Sequence, residues 1–332
     1  MRLVARAVIV AIVFAHASPA FAYLKFGVSV GGRTITLKWA AGAPRYYVTD
    51  RGASGLTSND VQGAVGRAFA SWQAVPTSAI SYEFAGFTSA LPGQDDGLST
   101  IGFVNHPELT RVLASTSFLI DNTTGELLES DIFFNDAFTW STAAAGESGK
   151  FDLESIALHE IGHFSGLGHS ALGETELASG GGRRVIAADS IMFPIAFTAG
   201  SVAARSLRAD DVAGVSDIYP DGGFSQNTGS VSGRVTKNGG GVFGAHVVAF
   251  DLATQTMVGG FSLTAAGDFV VAGLAPGPHL IRVEPIDDAD VEEFFNARAP
   301  VDLNFRVKFY ERLVVVPRGG DSGAIEVQVT PK

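Results

Sequence analysis

Chain length and a change of hydrophobic periodicity along the sequence point to an α+β domain followed by a smaller all-β domain. The chain is 332 residues long, beyond the size at which a single apolar core usually keeps growing, so two cores are expected. Over residues 44–220, three segments with helical spacing alternate with strand-like runs. From about residue 229 onward helical spacing disappears, and valine-rich runs are separated by glycine turns.

In chain order, residues 1–22 have the layout of a secretory signal. Arg2 and Arg6 give a positive start, residues 7–15 are apolar, and Ala20-Phe21-Ala22 offers a small-x-small cleavage site. The apolar run falls well short of the ~20 residues that a spanning helix needs. Cleavage after Ala22 is therefore expected, with an exported, soluble product that begins at Tyr23 and has no integral membrane segment. Residues 44–49 read as a strand. Residues 58–75 carry Val61, Val65, Ala68, Phe69 and Trp72 on one helical face, with Ser58 or Asn59 as the cap. Strands come next at 80–84, 100–104, 112–120 and 129–134, with a turn over 121–125. Asp152 caps a second helix whose Leu153, Ile156 and Ala157 face the core, and Gly166 ends it. A third helix over 206–219 buries Leu207, Val212, Val215 and Ile218 and stops at Pro220. Residues 221–232 are turn-rich with little to bury, which is how a linker reads. The expected domains are thus 23–225 and 226–332. Strands over 230–236, 245–251, 257–263, 268–272, 279–284 and 311–316 give the second domain the pattern of a small sandwich, with a further short strand-like run from Ile325 to the end.

Formal net charge is −11, from 23 basic and 34 acidic residues, and no basic tract is present. A nucleic-acid or anionic-lipid partner is therefore not expected. The absence of cysteine excludes disulfides, thiolate metal ligands and a lipidated cysteine.

The chemistry is concentrated in His159-Glu160-Ile161-Gly162-His163-Phe164-Ser165-Gly166-Leu167-Gly168-His169, which fits HExxHxxGxxH. Histidines four apart stand one turn above the other on one helix face, so both imidazoles can address the same ion. Gly166 can take the left-handed conformation that turns the chain back and brings His169 round to that ion. His159, His163 and His169 are thus the expected ligands of one catalytic zinc ion, and Glu160 the expected general base and acid.

With Ser170 after the third histidine, Ser190-Ile191-Met192-Phe193-Pro194, Asp210-Asp211 before Tyr219, and Asp131-Ile132-Phe133-Phe134-Asn135, most of residues 34–220 resembles the matrixins, a branch of the metzincin zinc peptidases. The resemblance implies a metzincin-like domain with a mixed twisted sheet and about three helices. It implies that Met192 lies beneath the metal, that Pro194 and Ile195 help to form the pocket wall beyond the scissile bond, and that Leu113, Ala114 and Ser115 are backbone partners of an extended substrate. The inhibitory propeptide cysteine of animal matrixins is missing here. Outside the trio, the first domain keeps only His106 after the signal, so a second, histidine-bound zinc is not carried over. Asp121, Asn122, Glu126, Glu129 and Asp131 are candidate oxygen ligands for calcium.

Gly229-Ser230-Val231-Ser232-Gly233-Arg234-Val235, Gly244-Ala245-His246-Val247 and the run from Gly267 to Gly277 make the second domain similar to the carboxypeptidase regulatory-like, transthyretin-like sandwich. A surface or polymer ligand is the partner that such a module suggests, while His246 and His279 read as ordinary strand residues. The expected activity is that of a secreted zinc endopeptidase acting on proteins or peptides. The alternatives are an exported binding or adhesion protein built on an inactive peptidase scaffold, and self-processing within the linker.

Overall fold

The structure is a computed structural model that describes residues 5–7, 24–31, 33–40, 42–53, 55–178, 181–296 and 298–332. Apart from residues 5–7, the expected signal segment lies outside the described residues. Those three run antiparallel to Phe118–Ile120.

The first part is a mixed sheet with helices. Strand Arg45–Thr49 pairs in parallel with Glu83–Thr88 on one side and Ser99–Val104 on the other, and Ser99–Val104 pairs in parallel with Glu126–Asn135. Strand Ala114–Ile120 pairs antiparallel with Glu126–Asn135 through the hairpin turn between them. Helix α1 (Ser58–Gln73) starts at Thr57, whose hydroxyl accepts from the Asp60 amide while the Asp60 carboxylate accepts from the Thr57 amide. This reciprocal cap outcompetes Ser58 and Asn59, the caps expected from sequence. Val61, Ala64, Val65, Ala68, Phe69 and Trp72 form the buried face of α1. Trp72 also donates its indole N–H to the Leu158 carbonyl (2.8 Å), which fixes α1 against α2 (Leu153–Phe164).

The cap of α2 is the one the sequence predicts. Asp152 accepts from the Ser155 amide at 3.0 Å and is itself paired with Arg205. At the other end Gly166 has φ +96°. The Gly166 amide donates to His163 O (2.7 Å) and the Leu167 amide to Gly162 O (3.0 Å), the paired bonds of a Schellman ending. A Cβ at Gly166 would also lie 2.5 Å from the Leu37 carbonyl oxygen, so both backbone angle and space require glycine here. Helix α3 (Ala209–Ile218) buries Ala213, Val215 and Ile218.

Several elements differ from expectation, among them an additional hairpin, Gly27–Val30 with Arg33–Thr36, and a third helix that begins at Ala209 and not at residue 206. The strand expected at 80–84 forms at Glu83–Thr88, because residues 78–82 are tied into turns by bonds to Val75, Tyr219 and Gln73, and Ile80 is buried without pairing. A hairpin, Gly173–Leu177 with Arg183–Ala188, is additional to the expected strands; its exposed faces give little alternation. The expected linker contains a short helical turn, Phe224–Asn227, with Phe224 buried.

The second part is a β-sandwich. One sheet pairs Gly229–Lys237 with Asp268–Leu274 and, in parallel, with Ile325–Gln328. The other is built from Met257–Phe261, His246–Asp251 and Gly277–Glu284, extended by Lys308–Phe309 and Val314–Val316. Val231, Val235, Phe269 and Val271 of the first sheet and Val247, Ile281 and Val283 of the second are buried between them, as alternation along each strand requires. The two parts are not packed independently. Leu24, Val185 and Phe193 of the first share an apolar cluster with Phe243, Phe261, Phe294 and Phe295 of the second. Among the described residues no helix is long and apolar enough to cross a membrane.

Candidate metal centre

His159 and His163 project from the last two turns of α2, and the reversal at Gly166 returns His169 to them. A short N-terminal segment holds that return in place: Gly168 donates to Leu24 O (2.8 Å) and Phe26 donates to Gly166 O (2.9 Å). The ring centroids of the three imidazoles lie 4.8–5.3 Å apart.

Each imidazole is oriented through Nδ1. His159 Nδ1 meets Ile191 O at 2.7 Å, His163 Nδ1 meets Leu167 O at 2.8 Å, and His169 Nδ1 meets Glu293 O at 2.6 Å. A carbonyl only accepts, so each Nδ1 carries the proton and each Nε2 keeps its lone pair. The Nε2 atoms of His163 and His169 are 3.2 Å apart, and one ligand atom from each of the three histidines lies within 4.8 Å of the others. Nitrogens bound to zinc at 2.0–2.1 Å in a tetrahedron stand about 3.3 Å apart, so this donor set fits a zinc ion. Burial favours the neutral rings: it lowers His159, lowers His163 well below the usual range, and with His159 nearby takes His169 to about 3. The three imidazoles therefore need not shed a proton at neutral pH to offer their nitrogens to a metal.

Glu160 is buried between α2 and the sheet. Burial raises its carboxyl to about 7, opposed by the Thr116 hydroxyl, which donates to Glu160 Oε2 at 2.6 Å. No spacing in the sequence singles out Thr116; its position on the cleft strand is what brings it there.

Met192 is buried against α2. A Cβ at Gly162, one residue before His163, would lie 2.2 Å from the Met192 sulfur and 3.0 Å from Trp72, so glycine at 162 lets the methionine rest against the helix. The turn carrying Met192 is organised by Asp211, whose carboxylate accepts from the amides of Ile191, Met192 and Arg208 and from the Ser190 hydroxyl. Ser170 N donates to Met192 O (2.9 Å), which ties the turn to the residue after the third histidine.

The three histidines and Glu160 line a cleft of about 680 Å³ that also includes Leu113, Ala114, Ser115, Pro194 and Ile195. Leu113 O is taken by the Asn135 amide. Antiparallel alternation then directs the amide and carbonyl of Ala114 away from the sheet, along the cleft edge. Glu292 and Glu293 of the second part line the same cleft, a placement that no sequence motif signals.

The five candidate calcium ligands do not surround one point. Asp121 closes its own turn by accepting from Thr123 and Thr124. Glu129 and Asp131 are buried and accept from Gly97, and from Gly93 and Thr100, respectively. Along an extended strand Asp131 is roughly 16 Å from Glu126, too far for a shared ion. Asn122 lies in the turn with Asp121.

Comparison with known proteins bears on the same stretch. The matrixin family model (peptidase M10) matches residues 38–179. Metalloendoproteinase 5-MMP of Arabidopsis thaliana is 34% identical over 90 residues, which are 27% of this chain and 20% of that protein. The chain thus spans about a fifth of the curated relative it matches. Among solved structures, the Bacillus anthracis TIE protein aligns at 16% identity and a TM-score of 0.19 over 32% of this chain and 17% of its own. GBS52, the minor pilin of Streptococcus agalactiae, aligns at 10% identity and a TM-score of 0.22 over 32% of this chain and 46% of its own. Residues 38–179, which carry His159, Glu160, His163 and His169, are therefore similar to the matrixin metallopeptidases.

Proposed function

We propose that the protein is a secreted zinc endopeptidase that hydrolyses internal peptide bonds of proteins or peptides. One observation carries the reading: three neutral imidazoles with Nε2 turned inward meet in a cleft that also holds a buried carboxylate. His159, His163 and His169 hold the ion. When bound, zinc supplies Lewis acidity, which makes water a nucleophile near neutral pH and polarises a carbonyl.

The remaining steps belong to the chain. An extended substrate lies along Leu113–Ser115 and pairs with the outward backbone groups of Ala114, as a strand added to a sheet edge. Pro194 and Ile195 bound the pocket for the residue beyond the scissile bond. Glu160 accepts the proton of the attacking water and passes it to the departing amine nitrogen, and Thr116 holds that carboxylate in one rotamer. Met192 supports the histidines from below and takes no part in proton transfer.

The test is metal analysis beside kinetics. The purified chain should carry about one equivalent of zinc, and Glu160→Gln should retain the ion while turnover falls by about 10²–10⁴. A chain that takes up no zinc would remove the peptidase reading in favour of an exported binding protein.

A further inference from the structure

We infer that the β-sandwich is part of the metal centre: its segment Asp290–Phe295 positions His169. The inference rests on the zinc reading of the three histidines. The imidazoles of His159 and His163 are aligned by carbonyls of the first part, from Ile191 and Leu167, whereas His169 is aligned by Glu293 O, 124 residues further along the chain. That carbonyl belongs to a single 3₁₀ turn, Val291–Glu293, where the amides of Phe294 and Phe295 both close on Val291 O.

A single turn has little rigidity of its own, so its position depends on the residues that flank it. Phe294 and Phe295 are fully buried. Their rings pack on Phe261 at 5.8 and 5.4 Å between centroids, and Phe295 packs on Phe243 at 5.5 Å. Upstream, Asp288 accepts from the Thr175 amide (2.6 Å) and hydroxyl of the hairpin in the first part. The turn is therefore clamped on both sides, with its carbonyl aimed at His169 Nδ1. A further tie is Asp210 on α3, whose buried carboxylate accepts from the Gly259 amide of the sandwich (2.8 Å). Groups that orient a metal-binding histidine typically change metal affinity 10–100-fold when lost. Glu293 thus acts as a positioning residue through its main chain.

Reciprocity supplies a test that needs no substitution. If the segment strengthens zinc binding, zinc must stabilise the segment by the same factor. Hydrogen–deuterium exchange of the full chain, metal-free and with one equivalent of zinc, should show the amides of 293–295 slowed at least 10-fold, together with those of α2. In addition, Phe294→Ala in the full chain should weaken zinc binding at least 10-fold in competition with a chromophoric chelator. Slowing in α2 without change at 293–295 would overturn the inference and leave the zinc site standing. Failure of the chain to take up zinc would overturn both.

Discussion

At the scale of single residues, two glycines and one threonine decide how the chemistry is held. Gly162 stands where any side chain would meet the Met192 sulfur at 2.2 Å. Gly162→Ala should therefore cost about 1–3 kcal/mol, as overpacking in a closed core does, and denaturant unfolding of the metal-free chain checks this. An unchanged midpoint would mean that Met192 moves aside freely. HExxHxxGxxH made His159, Glu160, His163, His169 and the turn at Gly166 legible, because the spacing is itself geometry. The Glu160 contact with Thr116 was not legible, since it joins residues 44 apart through the pairing of a strand with a helix. The main-chain carbonyls of Ile191, Leu167 and Glu293 carry no side-chain signature and were equally hidden.

Among elements, helix α3 and the turn at Met192 act as one unit through Asp210 and Asp211. Burial, with Asp211 beside it, raises Asp210 to about 7. A carboxyl held above its unfolded value near 3.9 contributes stability that is complete below that value and is lost as pH rises through about 7. The buried histidines act in the opposite sense: their contribution is present above about 6.5 and is lost as pH falls. The informative quantity is therefore the difference between variants. Relative to Asp210→Asn, the metal-free parent chain should lose unfolding free energy from about pH 4 to pH 7, as measured by denaturant titration. Parallel pH profiles would rule out Asp210 as the source. The helices were readable from spacing, and α2 also from its cap, but the hairpins at 27–36 and 173–188 and the shifted strand at 83–88 were not. Their positions are set by partners distant in sequence.

For the whole molecule, the α+β plus sandwich class was legible because it comes from the switch between helical and alternating periodicity. What sequence did not convey is how far the two parts share an interior. The cluster joining Phe193 and Val185 to Phe261, Phe294 and Phe295 predicts one cooperative thermal transition for the full chain. Two well-separated calorimetric transitions would contradict that packing. Chelation should lower the melting temperature, because an ion bound only by the folded state stabilises it by about 2.7 kcal/mol at 100 times its dissociation constant.

If the three histidines and Glu160 form a working hydrolytic centre, digestion of a mixed peptide library by the full chain will reveal it. The zinc-loaded chain should cut peptides at internal bonds, lose that activity on chelation and regain it when zinc is restored. Cutting that is indifferent to chelation, or no cutting by a chain that holds one equivalent of zinc, would contradict it.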